Sequence, residues 1–241
     1  MVDLAHETNP QSEPSPVWKE SDTLTPDEIK ALEGIINVEN HAAKLAKEIK
    51  DSINLPLLAT DFYEEAFKPL GHPSRNYRNT NTLVVNGELE YPAYQEIPGL
   101  MGDLNREVEF LWKDVALDPN EASKILDLCS KIHEMIYIHP FMDGNGRVTR
   151  ALVHLALYRF GYRLPHWRYS GRDGYLDAVS AAWHNPKIFK NFLAKALISS
   201  YKEIEEKYRM DDDLKDDRDI ESFIKTRIEL EEYLKNNNEA L

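Results

Sequence analysis

The chain predicts an all-α fold carrying one small β-hairpin, and three observations lead there. From Ile97 onward the segments between turn signals place apolar residues at helical spacing. The strand-prone residues cluster in one place: Leu83, Val84 and Val85, then Asn86-Gly87, then a return run from Glu88 to Tyr91 ended by Pro92. Two such strands are too few to form a sheet domain, so they belong to a helical body.

Residues 1–22 are polar and proline-containing and are expected to be a flexible leader. They lack a basic stretch followed by an apolar core, so no secretory signal is read there. The segment "TPDEIKALEGIINVENHAAKLAKEI" reads as helix. Thr25 caps it, Pro26 fits the first helical position, and Glu28 stands three residues after the cap. Gly34 weakens the middle, so a break into two helices there is an open reading. Residues 23–59 form an N-terminal helical segment of possible regulatory role. "TDFYEEAFKPL" is a short amphipathic helix stopped by Gly71 and Pro73.

"IPGLMGDLNREVEFLWKD" follows the hairpin as helix. In "PNEASKILDLCSKIHEMIYI", Ile125, Leu128, Ile132, Met135 and Ile136 share a face that runs into His139. Cys129 lies inside this pattern and reads as a small buried core residue. "RALVHLALYRFG" is an apolar helix ended by Gly161. "GRDGYLDAVSAAW" and "NPKIFKNFLAKALISSYKEIEEKY" give two more helices, and "IESFIKTRIELEEYLKN" a last one. Residues 198–241 are expected to be a charged C-terminal helical extension, with "DDDLKDDRDIES" a solvated run.

Composition excludes some functions. A formal net charge of -13 argues against a sequence-independent grip on nucleic acid. Apolar runs are broken by His, Arg or Lys well short of a membrane span. A lone cysteine and no signal suit a cytoplasmic, reducing compartment.

The chemistry is concentrated in "HPFMDGNGRVTR", His139 to Arg150. Pro140 and the glycines end one helix, and Arg147 onward begins another, so the loop opens onto a helix N-terminus with outward amides. Gly144 and Gly146 let backbone approach a ligand and form a nest for phosphate oxygens. Asn145 can donate an amide hydrogen bond without adding charge. Arg147 and Arg150 share a helix face, and their forked donors match phosphate. Two guanidiniums imply more than one phosphate group. Asp143 among these cations suits Mg²⁺, which takes one or two carboxylates beside waters and phosphate oxygens. His139 can take a proton from an attacking hydroxyl. Phe141 reads as the core anchor of the loop. Together the parts spell nucleotide-dependent transfer.

These residues resemble the signature of Fic-domain proteins, His-Pro-Phe-x-Asp/Glu-Gly-Asn-Gly-Arg-x-x-Arg, at every defining position. The similarity extends over roughly residues 60–197, with a hairpin flap near 77–94 upstream of the motif. The resemblance implies a Fic-type helical bundle with its flap beside the active-site loop. It implies transfer of AMP from Mg-ATP to a Ser, Thr or Tyr hydroxyl of a target protein, with release of pyrophosphate and possible self-modification. His139 then corresponds to the general base and Asp143 to the Mg²⁺ ligand. Gly144, Asn145 and Gly146 correspond to the anion hole, Arg147 to the partner of the phosphate tail and Arg150 to that of the terminal phosphate. Relatives with Lys at the position of Gly146 act as kinases, so Gly fits AMP transfer.

Tyr175 resembles a tyrosine lining the nucleoside pocket, while Trp183 stands where some relatives have Asn. Leu83, Val84 and Val85 would form the target-docking edge of the flap. Many relatives also carry an inhibitory Ser/Thr-x-x-x-Glu-Gly/Asn helix whose Glu pairs with the second arginine. Glu33 and Glu39 are the candidates here, Glu33 favoured, although Ile29 and Ile35 replace the expected hydroxyl residue. A separate small antitoxin is the alternative inhibitor. The same scaffold would also serve a phosphotransferase, another nucleotidyl or phosphocholine transferase, an AMP-removing enzyme, or a silent binding module.

Overall fold

A computed structural model describes residues 24–50, 52–72, 76–82, 91–210 and 218–238. Every regular element among the described residues is helical. The expected hairpin, with Leu83, Val84 and Val85, falls largely in 83–90 and lies outside them, as does the leader.

The core is organised around α6, Asn145–Arg159. Val148, Thr149, Ala151, Leu152, Val153, Leu155, Ala156 and Leu157 of this helix are wholly buried. A helix buried over so much of its length must be wrapped by others. α1 (Pro26–Glu48), α2 (Leu55–Phe67) and α4 (Ala122–His133) provide that wrapping. α3, Ile97–Leu117, packs on α2 and α4 through Met101, Val108 and Trp112. Each fully buried aliphatic side chain contributes on the order of 1.5–3 kcal/mol. The short α5, Met135–Ile138, continues the α4 stripe and delivers the chain to His139.

On the far side, α7 (Gly171–Ala182) and α4 pack against α8 (Pro186–Met210). α9, Arg218–Asn238, lies along α8. Leu230 is fully buried, and Arg227 bonds both Glu205 and Glu231. The charged C-terminal segment is therefore packed through one apolar face. No helix among the described residues is long and apolar enough to cross a membrane.

α1 starts at the predicted cap. The Thr25 hydroxyl accepts from the Glu28 amide, and the Glu28 carboxylate accepts from the Thr25 amide. The break at Gly34 is not found: α1 runs unbroken from Pro26 to Glu48. Gly34, Val38, Ala42 and Ala46 form its buried edge. A Cβ on Gly34 would stand 2.0 Å from the carbonyl oxygen of Ala66 in α2. The glycine therefore serves helix contact, and the low helix propensity it brings is the cost of that contact.

Gly34→Ala would gain helix propensity of up to about 1 kcal/mol. It is nevertheless expected to destabilise the fold by about 1–3 kcal/mol, because backbone cannot yield as a side chain can. Urea unfolding of the two proteins checks the sign.

Candidate active site

The loop between α5 and α6 is fixed at both ends. His139 adopts the left-handed conformation, with φ 51°, and is the one non-glycine residue with positive φ among the described residues. Its amide still bonds Met135 O of α5, so the turn is sharp. Nδ1 lies 3.3 Å from the Ile136 carbonyl oxygen. A carbonyl only accepts, so Nδ1 carries the proton and Nε2 is left as the base. Burial holds the imidazole below the ordinary histidine range, and the Arg78 charge adds to this. The Ile136 carbonyl and the Asp143 carboxylate oppose them without reversing the direction. His139 is thus neutral at neutral pH, the state a proton acceptor needs. Tyr91 stacks on its ring at 4.1 Å between centroids.

Phe141 anchors the loop as expected, buried against Tyr63 at 4.3 Å between rings. Asn145 does more than the sequence suggested. Its Oδ1 accepts from the Phe141 amide at 2.9 Å, and its Nδ2 donates to the Phe141 carbonyl at 2.8 Å. The side chain is buried and ties both ends of its amide to the loop, which leaves its backbone amide at the start of α6. Gly144, with φ 73°, precedes α6 as its cap, and a Cβ there would come within 2.3 Å of the Phe67 ring. Two independent constraints therefore require glycine.

The charged residues fan out from this start. The Asp143 side chain is 76% exposed. It accepts from the Gly144 amide at 2.5 Å and from Arg147 at 3.2 Å. Arg147 also lies over the Phe67 ring at 4.4 Å. Arg150 lies over the Tyr175 ring at 5.5 Å, and no carboxylate among the described residues pairs with it. A Cβ on Gly146 would sit 3.3 Å from Arg150 Nη1, so a longer side chain there would crowd that guanidinium. Among the described residues no group of three or more His, Cys, Asp or Glu could form a protein-only metal cage. A single exposed carboxylate beside a glycine-started helix suits a Mg²⁺ that would take its other ligands from phosphate and water.

Tyr175 sits beside the loop but is already engaged. Its hydroxyl is 3.1 Å from His133 Nε2. His133 is itself buried and stacked on Phe189 at 3.7 Å. Burial, with a smaller effect of Arg150, pushes its pKa down to about 3. Trp183 meets Tyr91 and Tyr137 edge-on. Glu33 is exposed on α1. Glu39 instead faces α6, where both carboxylate oxygens lie 2.7 and 2.8 Å from His154 Nδ1. Neither pairs with Arg150.

Several residues of the site left no mark in the sequence. Arg78, Tyr91, Tyr63 and Phe67 come from elements far along the chain, and their partners are carbonyls, ring faces or a guanidinium. Asx turns, caps and glycines announce themselves locally, whereas these contacts do not.

A model of the Fic/DOC family matches residues 24–157. Among curated relatives, a Protein adenylyltransferase Fic of Nematostella vectensis is 29% identical over 125 residues, 52% of this chain and 28% of that protein. A Probable protein adenylyltransferase of Aquifex aeolicus is 25% identical over 185 residues, 75% of this chain and 54% of that protein. The chain thus spans about half or less of these relatives' lengths. A crystal structure of a Fic domain containing signaling protein from Bacteroides thetaiotaomicron superposes with TM-score 0.62. At 18% identity it covers 88% of this chain and 76% of its own, and it shares the fold.

Folding should be acid-sensitive above the carboxylate range. His133 and His139 titrate lower when folded than when unfolded, so the unfolded chain takes up protons first as pH falls below about 6.5. His133 alone should cost about 2 kcal/mol by pH 5. Urea midpoints at pH 7.5 and pH 5 should show this drop, and equal midpoints would refute the burial described for His133.

Proposed function

This chain belongs to the Fic/DOC family, and from that premise we propose that it transfers AMP from Mg-ATP to a hydroxyl side chain of a target protein, releasing pyrophosphate. The observation that carries the reading is a pairing. A neutral His139 whose Nε2 has no partner among the described residues stands at the lip of a glycine-lined helix start, and Arg150 there lies over a ring face with no carboxylate paired to it among them. Two of the relatives matched are named as adenylyltransferases, which favours the same reaction here.

In this mechanism the backbone amides at Gly144 to Gly146 and the N-terminus of α6 hold phosphate oxygens. Asp143 would hold Mg²⁺, whose charge offsets that of the phosphates. Arg147 turns from Asp143 to the phosphate tail, and Arg150 takes the terminal phosphate. His139 Nε2 accepts the proton of the target hydroxyl. The oxygen then attacks the α-phosphorus, the bond to the β-phosphate oxygen breaks, and pyrophosphate leaves. Gly146 keeps this pose open by leaving Arg150 uncrowded. Tyr175 serves as a nucleoside wall beside Arg150. Leu83, Val84 and Val85, which lie outside the described residues, are assigned to contact with an extended target segment.

Of the two candidates, the sequence favours Glu33, but the facing of Glu39 toward α6 supports assigning restraint by α1 to Glu39. Glu39 faces α6 at His154, one helical turn beyond Arg150, while Glu33 is exposed. Glu39→Gly is expected to raise labelling severalfold, with Glu33→Gly unchanged. Unchanged labelling in both variants would remove α1 from the account.

The reaction is tested with ATP labelled at the α- or the γ-phosphate, supplied with Mg²⁺ and cell lysate. Protein label is expected from α and not from γ. His139→Ala should lower it by about 10²–10⁴-fold. Label from γ alone would make the enzyme a phosphotransferase.

A further inference from the structure

Arg78 is 4% exposed, and its side chain bonds no carboxylate among the described residues. A buried guanidinium normally demands an acid. Here its forked donors are spread over three backbone carbonyls instead. Nε donates to His139 O at 2.8 Å, Nη1 to Thr80 O at 2.9 Å and Nη2 to Pro92 O at 2.5 Å. Its own amide donates to Pro140 O at 2.8 Å. One residue therefore holds two consecutive carbonyls of the active-site loop and one carbonyl on each side of segment 81–91.

The pattern has a clear consequence for His139. A left-handed non-glycine residue relaxes unless its surroundings hold it. The carbonyl of that residue is the one Arg78 Nε grips. Tyr91 stacks on the imidazole, and its neighbour Pro92 is gripped by Nη2. Two further bonds brace the same junction. Thr80 Oγ1 contacts Met142 Sδ at 3.4 Å, and the Tyr94 amide donates to Asn81 Oδ1 at 3.1 Å. A lysine could not replace this arrangement, because a point ammonium lacks the planar fork that reaches three acceptors at once.

We propose that Arg78 is a positioning residue: its guanidinium ties the turn of His139 to the backbone at Thr80 and Pro92, so that the base is held in place beside Tyr91. This rests on the AMP-transfer reading for its consequence in turnover, but the lock itself does not. Loss of the lock should misplace the base relative to the acceptor hydroxyl while the phosphate site at Gly144 to Arg150 stays formed.

The test uses the full chain with Arg78→Met and Arg78→Lys. Turnover of labelled target is expected to fall about 100-fold in Arg78→Met, the scale of an ångström of misplacement. Arg78→Lys should fall between it and wild type. Binding of Mg-ATP should change less than about threefold in both, since no phosphate-facing group is altered. Two nuclear magnetic resonance readouts need no activity. The His139 ring should show a single Nδ1-protonated tautomer in wild type and averaging in Arg78→Met. The Arg78 Nε–H of wild type should exchange slowly with solvent. A freely exchanging Nε–H in wild type overturns the proposal without any variant. So does an Arg78→Met protein that keeps wild-type turnover and a fixed tautomer. If wild type transfers no AMP, the function fails, while the two resonance readouts still decide the lock.

Discussion

Non-glycine residues avoid positive φ because Cβ crowds the following carbonyl, yet His139 sits at 51°. That single turn lets α5 end, aims the imidazole back at the Ile136 carbonyl and leaves Nε2 free. The conformation persists because neighbours hold each carbonyl of the turn. Arg78 takes those of His139 and Pro140, and Asn145 takes that of Phe141. Phe141 is in turn stacked into Tyr63, itself stacked on Phe67. Phe67 then supports Gly144 and Arg147. The base, the anion-facing amides and one guanidinium are thus parts of one braced unit set on the most buried helix of the core.

Charge in this unit is local. The chain carries a formal net charge of -13. Yet Arg78, Arg147 and Arg150 surround the loop, and Asp143 is the acid bonded within it. At physiological ionic strength a field beyond about 8 Å is largely screened, so the basic cluster decides what binds there. Arg150 lies over a ring instead of against a carboxylate among the described residues. Arg147, by contrast, is already paired with Asp143, so on the proposed mechanism it would exchange that carboxylate for phosphate.

Much of this was legible in the sequence, and the reasons are physical. Thr25, Pro26 and Glu28 announce a helix start because caps act within four residues. The 125, 128, 132, 135 stripe announces a buried face because helices repeat every 3.6 residues. The twelve residues from His139 to Arg150 announce chemistry because packing does not call for that mixture. What stayed hidden depends on contacts between distant elements. Gly34 reads as a weakness until Ala66 is placed against it. Asn145 reads as a ligand donor until Phe141 takes both ends of its amide. Arg78 shows no sequence pattern, since its acceptors are carbonyls present at every residue. The hairpin edge read at Leu83 to Val85 lies outside the described residues, so its role rests on the proposal alone.

The most direct measurement is a crystal structure with Mg²⁺ and an ATP analogue that cannot be cleaved between its α- and β-phosphates. The account predicts the α-phosphorus nearest His139 Nε2, the metal on Asp143 with its bond to Arg147 broken, and the terminal phosphate on Arg150. A γ-phosphate beside His139, or a nucleotide bound away from the start of α6, would contradict it.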